Sequence, residues 1–158
     1  MKTRAVLKVV LLVVFLCSAP VAEGADAMTD QNLPGPSRKT TILIHVTHGP
    51  EQPTRAALAF LVAKSAIDEG HRVTLFLAGD AVQLLRDAVL NHLVGLGTGK
   101  LRDLYDAVVA GGGRFYLSGM SSNARGLTEV DLNGKPAEFA QPATLLRLAL
   151  QNERMFTY

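Results

Sequence analysis

An unbroken apolar run, Thr41-Ile-Leu-Ile-His-Val-Thr47, limits the folds open to this chain more than any other stretch. It is rich in β-branched residues and does not alternate polar with apolar positions, which is typical of a strand covered on both faces. His48-Gly-Pro50 ends the run, and Pro53 fits the first turn of a helix. Residues 54–69 are apolar almost all round, which predicts a largely buried helix that ends at Gly70.

Strand and helix patterns continue to alternate along the rest of the chain. The predicted elements are a strand over 71–78, a helix from an N-cap at Asp80 to Asn91, a mobile glycine loop over 95–99, a helix over 101–110, a strand over 114–117, a capped turn from Thr128 to Asp131, a helix from Pro142 to Asn152 and a strand over 155–158. This alternation predicts an α/β domain with a mostly parallel sheet and helices on both faces. We count four strands and allow a fifth.

The first 27 residues have the layout of a secretory signal peptide. A positively charged start precedes the apolar run 9–16, and small residues at Ala25 and Ala27 suit cleavage near Ala27. A permanent anchor is the weaker interpretation because the run is shorter than the roughly 20 residues that span a bilayer. Residues 28–39 are predicted to be a flexible lead-in to a domain over 40–158. We therefore expect a periplasmic or secreted protein with no membrane attachment after signal removal.

Charge and cysteine content exclude several classes of function. Lysine and arginine number 16 and aspartate and glutamate 14, so no basic excess points to nucleic acid. The single cysteine is Cys17, which would leave with the signal peptide. The mature protein would then lack a disulfide, a thiolate nucleophile and a cysteine metal site. His45 and His48 are too few ligands for zinc, so we expect no metal and no cofactor.

Three loops that follow predicted strands should meet at one edge of the sheet, where ligands collect in such folds. They would bring together the side chains of His48, Asp80, Ser118, Ser121, Asn123 and Arg125. His48 suits proton transfer near neutral pH, but its simpler interpretation is a solvent-facing turn residue. Arg125 could hold an anion, or it could pair with Asp131, Glu129 or a neighbouring subunit.

Two familiar motifs are missing from these loops. The serines lack the G-x-S-x-G pattern of a hydrolase elbow, so we interpret them as groups that satisfy backbone polar atoms in a tight turn. The glycine loop over 95–99 lacks the P-loop spacing and does not follow a strand. His45, within the first strand, is predicted to be packed and hydrogen-bonded.

The chain resembles the DsrE/DsrF-like family over residues 42–158. The resemblance is carried by the Ala-rich segment 54–60, by Val73-Thr-Leu-Phe-Leu-Ala-Gly-Asp80, by residues 113–126 and by the helix 143–150 before a closing strand. Ala124-Arg-Gly-Leu-Thr128 is its most specific part. The resemblance implies a single flavodoxin-like three-layer domain that assembles into trimers or hexamers and takes part in sulfur relay through a cysteine persulfide.

The family cysteines are missing at the positions where the resemblance places them. Related exported members often carry Cys-Gly-x-Cys just before Ala-Arg-Gly, and this pattern falls on Ser118-Gly-Met-Ser121. A serine hydroxyl cannot hold a persulfide and is a poor nucleophile without a base. We therefore expect an exported homo-oligomer that binds a small anionic or sulfur-containing ligand or serves as an accessory subunit. The alternative is a sulfurtransferase or sulfur carrier that works with a partner's thiol.

Overall fold

Our computed structural model describes residues 38–158. The predicted signal peptide over 1–27, the cleavage near Ala27, Cys17 and most of the lead-in lie outside the described residues. The elements are β1 (Thr41–Val46), α1 (Pro53–Asp68), β2 (Arg72–Leu77), a 3₁₀ helix (Gly79–Leu85), α2 (Asp87–Leu90), β3 (Val94–Gly95), β4 (Gly99–Lys100), α3 (Leu101–Ala110), β5 (Arg114–Ser118), α4 (Gly119–Ala124), α5 (Glu129–Leu132), β6 (Ala137–Ala140), α6 (Pro142–Gln151) and β7 (Arg154–Thr157).

Five of the strands form one sheet in the order β6-β5-β2-β1-β7, and every neighbouring pair is parallel. The predicted α/β class with a parallel sheet is therefore confirmed, with five strands. Because all the strands run the same way, the segments that follow β1, β2 and β5 leave the sheet at the same edge.

One face of the sheet carries the main core. Ile42, Ile44 and Val46 of β1 point to this face and are buried in a core to which α1 and α3 also contribute. Phe115 of β5 is also buried there and stacks against Phe60 of α1. The alanines of α1 have short side chains, so the helix can pack close to the strands.

The opposite face has a smaller core and a thinner cover. Leu43 and Phe76 are buried on it and pack against Leu145 and Leu148 of α6. No residue of α6 is fully buried, and all four residues of β7 are exposed. Helices therefore cover both faces, as predicted, but unequally. The exposed apolar side chains on α6 and β7 are Leu146, Leu150, Met155 and Phe156.

The fifth strand, β6, occupies a segment for which the sequence predicts no strand. Ala137–Ala140 lacks an apolar run because β6 lies at the edge of the sheet and Glu138 is exposed. Its pairing with β5 places Ala140 beside Ser118. Edge strands need less apolar surface than central ones, so hydrophobic pattern alone is a weak guide to them.

The prediction of one continuous helix from Asp80 to Asn91 is wrong. A 3₁₀ helix is followed by the short α2, and Arg86 between them has extended backbone angles. The N-cap is Ala78, without a side-chain hydrogen bond, so Asp80 does not cap this element. Gly79 has a φ of 57°, a left-handed conformation that favours glycine and sets the turn out of β2.

The predicted mobile loop over 95–99 is a small antiparallel hairpin made by β3 and β4. It is attached to α1, because the backbone N–H of Leu96 donates to Oγ1 of Thr54 at 2.9 Å. The capped turn at Thr128 is confirmed as the capping box of α5, in which Thr128 and Asp131 bond reciprocally.

His45 is packed as predicted, but the predicted hydrogen bond is missing. Its ring lies edge-on to Phe76, and its buried Nε2 has no hydrogen-bond partner among the described residues. Burial lowers the pKa of His45 below 6.5. No helix within residues 38–158 is both long and apolar enough to cross a membrane.

Candidate functional site

The segments after β1, β2 and β5 contact one another at the carboxyl edge of the sheet. Gly49 lies so close to the backbone of Asp80 that an added Cβ would overlap the Asp80 carbonyl group. The N–H of Gly79 donates to Oγ of Ser121 at 3.0 Å. The convergence that the topology predicts is therefore present.

The segment that carries the two serines is a helix rather than a loop. Ser118 is the N-cap of α4, and its Oγ accepts from the backbone N–H of Ser121 at 3.4 Å. Ser121 in turn joins α4 to the turn after β2 through its bond with Gly79. Both hydroxyl oxygens thus satisfy backbone N–H groups, as the sequence interpretation expects. No histidine among the described residues bonds to either of them.

Arg125 pairs with Asp80, a partner that the sequence analysis did not propose. Nε of Arg125 donates to Oδ1 of Asp80 at 2.8 Å, and Nη1 donates to the carbonyl oxygen of Ser121 at 3.2 Å. The hydrogen bond from Arg125 is the main reason that the pKa of Asp80 falls below 3.8. Gln83 also donates to this carboxylate. The guanidinium charge is therefore matched by a carboxylate within the same chain.

The suggested partners Glu129 and Asp131 do not pair with Arg125. Asp131 lies 3.9 Å from Nε of Arg86 instead, and it also caps α5. Arg86 donates to the carbonyl oxygen of Arg125, which fixes the backbone after α4. Arg86 and Arg125 thus stabilise the turns around α4 at this edge of the sheet.

His48 lies in a cleft of about 750 Å³ at the start of α1. The lining residues are Thr47, His48, Gln52, Pro53, Thr54, Arg55, Leu58, Thr157 and Tyr158. None of the other five predicted site residues lines this cleft. Its size is in the range of clefts that hold small molecules.

Hydrogen bonds in the cleft define the proton positions on His48. Arg55 lies with Nη1 at 3.1 Å from Nε2 of His48, and a guanidinium can only donate. Nε2 is therefore the acceptor, and the proton of the neutral ring is on Nδ1. Nδ1 lies 3.3 Å from Oγ1 of Thr47, whose hydroxyl donates to the carbonyl oxygen of Tyr158 at 2.9 Å. These hydrogen bonds connect Arg55 to the backbone of Tyr158, just after β7.

The six predicted residues therefore fall into three groups. Asp80, Ser118, Ser121 and Arg125 form a connected polar network, His48 lines the cleft, and the side chain of Asn123 is exposed. Sequence reasoning missed Arg55, because a single arginine in a helix carries no motif. The only indication was its position in the first turn of α1, just after the loop that holds His48.

The described residues contain no group of three or more His, Cys, Asp or Glu side chains that could hold a metal ion. The cleft lining contains one charged side chain, Arg55, beside the neutral ring of His48. The chemistry that the cleft supports is recognition of a negative charge by Arg55.

Comparison with known proteins identifies the relatives of this chain. A sequence model of the DsrE/DsrF-like family matches residues 40–158. The crystal structure of the ychN protein from E. coli is similar with a TM-score of 0.59 at 14% identity, covering 77% of this chain and 100% of that one. A conserved protein of unknown function from Bacteroides thetaiotaomicron is similar with a TM-score of 0.56 at 12% identity, covering 75% and 95%. No curated protein sequence matches the chain.

Proposed function

The chain belongs to the DsrE/DsrF-like family, and from that premise we propose that it is an exported, oligomeric member without thiol chemistry of its own. It uses the sulfur-relay fold as a binding scaffold. Its role is to bind a small anionic or sulfur-containing ligand, or to serve as an accessory subunit of an assembly.

The absence of cysteine from the matched region carries this proposal. The chain has one cysteine, Cys17, and the family match covers residues 40–158. A persulfide needs a thiolate to receive the sulfur atom, and no residue of the matched region supplies one. The positions where the family resemblance places thiols are Ser118 and Ser121.

The contacts of the two serines support a structural role in place of a chemical one. Each Oγ accepts a backbone N–H, and neither is bonded to a base that could remove its proton. Arg125 could hold an anion beside the serines, but its guanidinium forms an ion pair with Asp80. These contacts stabilise the turn into α4 and leave no activated nucleophile among them.

The exposed apolar side chains of α6 and β7 support the oligomeric part of the proposal. Leu146 and Leu150 are 61% and 79% exposed, and Met155 and Phe156 are 44% and 43% exposed. Several large apolar side chains exposed on two consecutive elements are typical of a protein interface. A second copy of the chain would cover the face of the sheet that α6 covers only in part.

The signal-like pattern of residues 1–27 supports export.

An assay of sulfur transfer from thiosulfate to cyanide tests the proposal. We expect the wild-type protein to transfer no sulfur above the rate in buffer, because it has no acceptor thiol. The double variant Ser118→Cys/Ser121→Cys is the positive control for the scaffold. A wild-type rate that is lost in Arg125→Ala or His48→Ala would overturn the proposal and favour the sulfurtransferase alternative.

A further inference from the structure

The cleft at the start of α1 has the features of an anion site, and these features are separate from the network around Arg125. No acidic side chain lines it. Among the residues that the structure describes, no carboxylate lies within 4.0 Å of the Arg55 guanidinium. Glu51, the acidic residue nearest in sequence, instead accepts the backbone N–H of Gly49 at 2.8 Å. Within these residues the Arg55 guanidinium therefore bonds His48 and lines an open cleft without a carboxylate partner at ion-pair distance.

His48 orients this charge. A guanidinium has five N–H donors, and His48 accepts one of them. Because the His48 ring is itself held by Thr47 and, through it, by Tyr158, the acceptor has a fixed position. The remaining donors of Arg55 stay free to bind a planar anion. A carboxylate matches the fork geometry of a guanidinium with two parallel hydrogen bonds.

The walls of the cleft add an apolar component. Pro53 and Leu58 line it on the α1 side, and Tyr158 lines it just after β7. An inorganic anion would leave these surfaces in water, whereas an organic acid with a hydrocarbon or aromatic body would bury them. Ligand sites of this kind combine an apolar lining with a few polar groups that fix orientation.

We propose that this cleft binds a small organic carboxylate, with its charged group on Arg55 and its apolar body against Pro53, Leu58 and Tyr158. In this arrangement Arg55 is the binding residue and His48 is the positioning residue. The inference rests on the ligand-binding part of the proposed function and assigns it to this cleft rather than to Arg125.

Saturation-transfer NMR with benzoate and its neutral analogue benzamide tests the assignment on the purified protein, whatever its oligomeric state. We expect benzoate to bind and benzamide to bind at least about tenfold more weakly, because hydrogen bonds to a charged partner are the stronger ones. Arg55→Gln should weaken benzoate binding by about tenfold. The matched control Arg147→Gln, an exposed arginine on α6 that bonds Thr144, should leave binding unchanged.

Two variants of His48 separate positioning from packing. His48→Gln retains an acceptor for Arg55 and should keep most of the affinity, whereas His48→Leu should weaken benzoate about as much as Arg55→Gln does. Circular dichroism of each variant confirms that it is folded. Equal binding of benzoate and benzamide, or equal effects of Arg55→Gln and Arg147→Gln, would overturn the assignment.

The outcome also distinguishes this inference from the proposed function. If Arg125→Gln weakens benzoate binding and Arg55→Gln does not, the cleft assignment is refuted, whereas the proposal of a ligand-binding scaffold still stands. Sulfur transfer by the wild-type protein would refute the proposal that the protein has no thiol chemistry of its own. It would leave the assignment of the carboxylate site to the cleft unaffected. Absence of benzoate binding would overturn the cleft assignment, and the transfer assay would still decide the thiol question.

Discussion

Three serines, one at the N-cap of α4 and two within it, are expected to respond differently to the same substitution. Ser118 caps α4, Ser121 accepts the N–H of Gly79, and Ser122 is 1% exposed with an Oγ that has no partner among the described residues. Replacing each by alanine removes one hydroxyl group and changes little else. The three variants therefore compare two bonded hydroxyls with one buried and unbonded hydroxyl in the same helix.

The expected magnitudes follow from the contacts. Ser121→Ala leaves the N–H of Gly79 without its acceptor, which should lower the free energy of unfolding by about 1 kcal/mol, the lower end of the range for a partly exposed donor. Ser118→Ala should lower it by about 0.5 kcal/mol, since the cap bond is long at 3.4 Å. Ser122→Ala should leave it unchanged or raise it by up to about 1 kcal/mol, because a buried hydroxyl without a partner is destabilising.

Urea unfolding followed by circular dichroism measures these differences, since the chain has no tryptophan for fluorescence. All four proteins must be compared at one protein concentration, because association with other copies would add to the apparent stability. If Ser122→Ala lowers the free energy of unfolding as much as Ser121→Ala, or if Ser121→Ala has no effect, the structural role assigned to these serines is wrong.

Three further perturbations test other parts of the structure. Gly49→Ala should lower the free energy of unfolding by about 1–3 kcal/mol in the same urea assay, because its Cβ would overlap the Asp80 carbonyl. NMR titration should place the pKa of Asp80 below 3.8, and Arg125→Gln should raise it; the stability that this pair contributes is present above pH 3.8 and is lost as the pH falls through the folded-state pKa. Leu150→Glu and Phe156→Glu should each reduce the oligomer mass in light scattering, and an unchanged mass would exclude the α6–β7 surface as the interface.

The central part of the fold was predictable from the sequence, because the strands buried on both faces have continuous apolar runs. β1, β2 and β5 follow such runs. β6 does not, since an edge strand with Glu138 exposed needs few apolar residues. The sequence also predicts a loop where the structure has the helix α4, for a different reason. Its sequence Gly-Met-Ser-Ser-Asn-Ala has weak helix propensity, and contacts such as that between Ser121 and Gly79 stabilise it.

The candidate site was predictable in location and only partly in its partners. Parallel topology places the ends of β1, β2 and β5 together, so Asp80 and Arg125 could be assigned to one region. Their pairing could not be foreseen, because Asp80 is equally typical of a helix cap in sequence. Arg55 gave no motif at all, and its relation to His48 depends on the angle at which α1 leaves the loop.

Intact mass spectrometry of the exported protein, before and after exposure to a polysulfide donor, tests the central claim most directly. We predict a mass that corresponds to the chain without residues 1–27 and that gains no sulfur, whereas Ser118→Cys/Ser121→Cys should gain about 32 Da for each sulfur atom bound as a persulfide. A gain of this size by the exported wild-type protein would contradict the proposal that this DsrE-like protein has no thiol chemistry of its own.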